Sequence, residues 1–204
     1  IERIDSLLSH RPSVSKLKSD TEFFAYILKK FPTMKVGIST NSQSLYENYK
    51  KYIDLSVVQL AINPLDYAVN KIFLDLLVKD EIMVQARSIL SSGLLSGKYN
   101  RKTLFKDNMR SRFHEKNINK KYLKRLDTAL KVVSYVQQIQ KLPLEMVPNF
   151  LYSFFEMIPG VNIVIRGGST LKQIAVNKKL MKIDTTTYKK VLLKMEREWV
   201  CEYV

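Results

Sequence analysis

Short apolar segments and longer helical patterns take turns along this chain, and that alternation limits the fold more than any other feature. Residues 4–9 read as a buried strand closed by His10-Arg11-Pro12. Ser19-Asp20-Thr21-Glu22 is a capping signal for the helix that follows, with Phe23, Phe24, Ile27 and Leu28 on its apolar face. Residues 34–39 form the next strand, and Asn41 or Ser42 caps a short helix running to Tyr49. A third strand over 55–62 stops at Asn63-Pro64, 69–78 is helical, and 82–86 is a fourth strand. Residues 88–119 have little periodicity and read as loop. A long helix is predicted over 119–140, with Leu123, Leu126, Leu130, Val133 and Val136 at helical spacing. A further helical piece at 143–158 carries Pro148 near its start, a fifth strand covers 163–165, and the final helices follow.

Strand and helix alternate with almost no hairpin signals, which argues for an α/β fold with a parallel sheet. The 204 residues are 46% hydrophobic, enough for one good core, and no linker, repeat or low-complexity stretch interrupts them. A single domain over 1–204 is therefore expected. Five strands suit an open sheet, or part of a closed (β/α)8 barrel whose remaining strands lie upstream of Ile1. The unusual residues gather at the strand ends: His10, Ser39, Gln59, Asn63, Arg87, Ser88 and Gly167. In a closed barrel those carboxyl ends form one active face.

Composition removes several function classes. The lone Cys201 leaves no internal disulfide and no cysteine-based zinc site, which fits a reducing compartment such as the cytoplasm. No apolar run is long enough to span a membrane, and Ile1-Glu2-Arg3-Ile4-Asp5 is not a signal peptide. A net charge of +15 raises nucleic acid as a partner. The lysines are spread along the chain, with the densest stretch at 116–125, so a generically basic surface that suits an anionic cofactor is the better reading.

The segment Ile163-Val164-Ile165-Arg166-Gly167-Gly168-Ser169-Thr170 passes from strand to Gly-rich turn to helix start. A helix N-terminus preceded by glycines exposes unpaired N–H groups and suits a phosphate, and Ser169 or Thr170 can cap it. The same pattern also serves as an ordinary tight strand–helix turn, and taken alone the segment leaves both readings open.

Taken together, several segments resemble the aldo-keto reductase family in order and spacing. They are Leu7-Leu8-Ser9-His10-Arg11-Pro12, Val36-Gly37-Ile38-Ser39-Thr40-Asn41, the Gln59 to Asn63-Pro64-Leu65 element, and Ala86-Arg87-Ser88 with its Gly93-Leu94-Leu95-Ser96-Gly97-Lys98-Tyr99 loop. Gly167 through Asn177 completes the series. The resemblance implies a (β/α)8 TIM barrel of which this chain covers strands 4–8, with strands 1–3 upstream. It implies NADP(H)-dependent reduction of an aldehyde or ketone, with NAD(H) not excluded.

By that resemblance His10 is the active-site histidine that orients the substrate carbonyl and donates a hydrogen bond where negative charge develops. The family's tyrosine, lysine and aspartate belong to the first three strands, so this chain alone is expected to be inactive. Ser39, Thr40 and Gln59 match positions that hold the nicotinamide carboxamide. Arg87 stands where many members stack an aromatic ring, and its charge would disfavour the oxidised cation. Ser88, Leu90, Ser91, Ser92 and Lys98 match the loop around the pyrophosphate, with Arg112 as a further contact. Gly167, Ser169, Gln173 and Asn177 match adenosine-phosphate positions. Val176 replaces a glutamate that meets the adenine amino group. The rival reading is a barrel with a degenerate site that binds nucleotide and a partner protein without catalysis.

Overall fold

The computed structural model describes residues 4–105, 110–168 and 170–201, without the side chains of residues 112 and 116–118. The described elements are β1 (Ser6–Ser9), α1 (Leu17–Lys30), β2 (Lys35–Ser39), α2 (Gln43–Lys50), β3 (Val57–Ala61), α3 (Tyr67–Lys79) and β4 (Met83–Arg87). They continue with α4 (Lys116–Gln140), α5 (Val147–Glu156), β5 (Ile163–Val164), α6 (Leu171–Asn177) and α7 (Thr185–Arg197). Among the described residues, one compact unit takes those within Ile1–Ala61, Asn70–Arg87 and Pro159–Val164. The other takes those within Ile62–Val69, Ser88–Ile158 and Ile165–Val204.

The first unit holds the whole sheet. Its order is β1-β2-β3-β4-β5 with every pair parallel. Sequential parallel order is that of a (β/α) barrel wall; a doubly wound sheet reverses its order part-way. Val36, Ile38, Val57, Val58, Leu60, Val84 and Ala86 are completely buried, as a parallel sheet with two covered faces requires. Gly37 is obligatory by packing: a Cβ there would lie 1.9 Å from the Val57 carbonyl oxygen. Two tyrosines of α2 tie it to its neighbours. Tyr46 donates to Asp80 at 2.8 Å beyond the end of α3, and Tyr49 donates to Asp20 of α1 at 2.8 Å.

The second unit is helical. Tyr122, Arg125, Leu126, Ala129, Val132, Val133 and Val136 form the buried stripe of α4, with Leu123 and Leu130 at its half-buried margin. In α5, Phe150, Leu151, Phe154 and Phe155 are fully buried, and Phe154 stacks on Tyr188 of α7 at 5.1 Å.

Several boundaries differ from the sequence reading. Helix α1 begins at Leu17, so Ser19 and Thr21 lie inside it and bond back to the carbonyls of Lys16 and Leu17. Phe23 is half exposed, and only Phe24 of that helix is buried. The cap of α2 is Ser42, which accepts from the Leu45 N–H, whereas Asn41 turns to other partners. The 88–119 segment is not all loop: it contains 3-10 turns at Leu94–Ser96 and Ser111–His114, and α4 starts at Lys116. Strand β5 has two residues and excludes Ile165. The cap of α6 is Thr170, accepting from the Gln173 N–H, while Ser169 lies outside the described residues.

Candidate functional site

The register of the sheet sets one polar row. Ser39 on β2 lies opposite Gln59 on β3, which lies opposite Gln85 on β4. Ser39 Oγ donates to Gln59 Oε1 at 3.3 Å, Gln59 Nε2 donates to Gln85 Oε1 at 3.3 Å, and Gln85 Nε2 donates to Ser6 Oγ of β1 at 3.3 Å. The strands place these side chains on one face because residues two apart share a face. Such a chain fixes each amide's orientation and leaves further donor and acceptor capacity on Ser39 and Gln59.

Asn41 adds to this unit, although the sequence marks it only as a helix-cap candidate and as the end of a matched segment, not as a cofactor contact. Its Oδ1 accepts from the Ala61 N–H at 3.0 Å and from Arg87 NH2 at 3.3 Å. Its Nδ2 is buried and meets no acceptor among the described residues. A buried amide donor of this kind is a place for a ligand oxygen. Thr40 is buried, and its Oγ1 accepts from the Ser42 N–H at 3.0 Å, which leaves the hydroxyl hydrogen to donate. The matched segment includes Asn41, but the resemblance puts the carboxamide contact on Thr40, one position earlier. His10 follows β1 directly and is exposed.

In the second unit, the turn after β4 is built from left-handed backbone. Ser88, Ser91 and Ser92 have φ of 59°, 47° and 56°, and Gly93 and Gly97 have 91° and 70°. Left-handed serines cost about 1–2 kcal/mol each, so other contacts must hold them. Ser91 is the anchor. Its Oγ accepts from Arg125 Nε at 3.1 Å and NH2 at 2.9 Å. Arg125 in turn grips Asp66 with NH1–Oδ1 at 2.6 Å and NH2–Oδ2 at 2.5 Å. Asn63 donates to Asp66 Oδ2 at 2.6 Å and to the Ser88 carbonyl at 3.3 Å. Removing one partner of a buried pair like this costs about 3–5 kcal/mol. Ser88, Ser92 and Lys98 are exposed, and Leu90 is half-buried. Arg112 lies in the Ser111–His114 turn, and its side chain is outside the described residues.

The turn before α6 is fixed from three sides. Tyr152 Oη accepts from the Gly167 N–H at 3.1 Å, and Asn177 Nδ2 donates to the Gly167 carbonyl at 2.5 Å. Arg166 donates to the Asn177 carbonyl and, at 2.5 Å, to Glu156. Burial raises the Tyr152 phenol above its ordinary value. Gly167 itself has room for a Cβ, since the nearest atom would be Tyr152 Oη at 3.9 Å, whereas Gly168 is tight against Ile174. The glycine at 167 is therefore not demanded by packing or by a positive φ. Gln173 sits in the first turn of α6 and Asn177 at its end.

The aldo/keto reductase family pattern matches residues 2–192. The chain belongs to the aldo/keto reductase family. Its fold is thus part of a (β/α)8 barrel, of which the five parallel strands are the described portion. Solved members are similar to this aldo/keto reductase chain. The glycerol dehydrogenase AKR11B4 of Gluconobacter oxydans is 23% identical with a TM-score of 0.68, over 100% of this chain and 62% of its own. The aldo-keto reductase AKR11C1 of Bacillus halodurans in its apo form is 16% identical, also at 0.68, over 98% and 64%. An aldo/keto reductase of Klebsiella pneumoniae solved with NADP and acetate is 12% identical at 0.60, over 95% and 59%. The chain therefore spans less than two thirds of the length of these relatives. No curated protein matches it in sequence. Among the described residues no helix is long and apolar enough to cross a membrane.

The residues present suit a nicotinamide dinucleotide. A primary carboxamide needs both donors and acceptors, which Ser39, Gln59 and the unpartnered Asn41 Nδ2 offer. A pyrophosphate needs hydroxyl donors and cations, which the exposed Ser88, Ser92 and Lys98 offer.

Proposed function

We propose that the protein is an NADP(H)-dependent oxidoreductase that reduces an aldehyde or ketone to an alcohol. The observation that carries this reading is the Ser39–Gln59–Gln85 row together with the buried, unpartnered amide of Asn41. It is supported by the family membership and by the NADP in the Klebsiella relative.

The cofactor, when bound, supplies a hydride to the carbonyl carbon. Ser39, Gln59 and Asn41 hold its carboxamide, while Thr40 shapes the turn behind them. Arg87, fixed by Asn41 Oδ1, places a cation near the ring and favours the neutral reduced form. Ser88, Leu90, Ser92, Lys98 and Arg112 meet the phosphates, and Ser91 secures the loop that carries them. Gly167, Ser169, Gln173 and Asn177 form the adenosine side. His10 donates a hydrogen bond to the substrate oxygen as it gains negative charge. The proton donor belongs to the upstream part of the barrel, as the family resemblance implies. NAD(H) remains the alternative dinucleotide, because the adenosine side lacks a matched Arg/Lys pair for a 2′-phosphate. Cys201 is a buried thiol, in keeping with a cytoplasmic setting.

Fluorescence titration of the full-length protein with NADPH tests the reading. Saturable binding is expected, and its absence up to millimolar cofactor sinks the proposal. His10→Ala should then lower carbonyl reduction while NADPH affinity stays within about twofold.

A further inference from the structure

We propose that Asp66 and Arg125 are positioning residues for the cofactor's pyrophosphate loop, acting through Ser91 and Asn63. The proposal rests on the dinucleotide reading above, and it assigns a role to residues that no matched motif includes. Among the described residues the two charges are the most deeply buried, with side chains 2% and 9% exposed. Asp66 closes the turn after β3 and Arg125 projects from the middle of α4, so the pair joins two segments 59 residues apart. Three donor atoms of the cluster reach the loop. Arg125 spends Nε and NH2 on Ser91 Oγ, and Asn63 uses its Nδ2 on both Asp66 and the Ser88 carbonyl. Asn63 is itself held by accepting the Leu65 N–H at 3.0 Å.

The loop needs such a brace. Ser88 and Ser91 are both in the left-handed region, where serine is disfavoured, and both accept hydrogen bonds from the cluster. Ser88 and Ser91 also close on each other, with the Ser91 N–H on the Ser88 carbonyl at 2.8 Å. Release of either contact lets this backbone relax toward ordinary φ, which turns the Ser88 and Ser92 hydroxyls away from where they now stand. A purely packing role would be served as well by apolar residues of the same volume, and would not require hydrogen bonds aimed at the two strained serines.

The test compares the full-length protein with Arg125→Lys, Asp66→Asn and Ser91→Ala. The last keeps the ion pair and removes only its link to the loop, so it guards against variants that fail to fold. Three quantities are read: amide hydrogen exchange of 88–98 without ligand, NADPH dissociation constant, and the dissociation constant of adenosine 2′-monophosphate, which carries no pyrophosphate. Exchange in 88–98 should accelerate by about tenfold while β2 and β3 keep wild-type protection. NADPH should weaken by about tenfold and the adenosine monophosphate by less than about twofold, with KM for NADPH raised and kcat held. Wild-type exchange in the loop of Ser91→Ala overturns the brace, and so does equal weakening of both ligands. Failure of the wild type to bind NADPH overturns the dinucleotide reading instead, while wild-type binding with unchanged variants overturns the brace alone.

Discussion

The side-chain amide of Asn177 donates to the carbonyl of Gly167 at 2.5 Å, tying the last residue of α6 to the turn that precedes it. The residue matched as an adenosine contact thus spends one of its two amide donors on nearby backbone. Asn177→Ala removes one of the two side-chain donors to the Gly167 carbonyl, the other being Tyr152 Oη at 3.4 Å, and should cost about 0.5–1.5 kcal/mol. Urea unfolding of the ligand-free protein should show this loss. A residue serving only the ligand would leave ligand-free stability unchanged, and that result would remove Asn177 from the turn's support.

Asn41 separates two jobs within one side chain. Its Oδ1 holds the Ala61 N–H and Arg87, and its Nδ2 is the unpartnered buried donor. Asn41→Asp keeps both acceptor contacts, replaces the donor with a carboxylate oxygen and adds a negative charge beside Arg87. The variant should bind NADPH at least about tenfold more weakly, from one lost hydrogen bond and an acceptor set where the cofactor offers an oxygen. Unchanged affinity would mean that Nδ2 does not meet the cofactor.

The alternation of apolar strands with helical patterns was enough to read the parallel sheet, since Val36, Val57 and Val84 sit in runs that only a doubly covered strand requires. Helix starts were less legible. Ser19 and Thr21 look like caps but bond back into α1, because a serine or threonine can satisfy either arrangement and the chain before it decides. Ser39 and Gln59 were legible through the family resemblance, and the register that sets them opposite each other came only with the sheet. Gln85 and Asn41 were not, since their roles depend on cross-strand neighbours. Arg125 was hidden for a different reason. It occupies an apolar stripe position of α4, and nothing local says that a charge there finds Asp66 at a distance of 59 residues.

Gly37 offers a test of the sheet itself. An added methyl would sit 1.9 Å from the Val57 carbonyl oxygen and 2.6 Å from a Val57 methyl, and backbone cannot move aside inside a paired strand. Gly37→Ala should destabilise by about 3 kcal/mol, at the upper end for overpacking, measured by urea or thermal unfolding. A loss below about 1 kcal/mol would show that β2 and β3 separate more easily than their register implies.

The tyrosines of α2 give the first unit a defined pH response. Burial, then the hydrogen bond to the Asp20 carboxylate, push Tyr49 from 10.0 up to about 12. Burial and the Asp80 carboxylate raise Tyr46 as well. Because a raised pKa favours the protonated phenol in the folded state, this stabilisation is complete below the unfolded tyrosine's pKa and fades as pH rises toward about 12. Asp80 behaves oppositely. The hydrogen bond from Lys50, then that from Tyr46, hold its carboxyl below 3.8, so its contribution is present above that value and lost as pH falls through the lowered pKa. Tyr49→Phe keeps the buried ring and removes the titrating hydroxyl. It should cost about 1–3 kcal/mol at neutral pH, the range for a hydrogen bond to a charged group, and flatten the decline in stability above about pH 10. Urea unfolding across that alkaline range decides the matter. Parallel declines for wild type and Tyr49→Phe would place the alkaline sensitivity elsewhere in the chain.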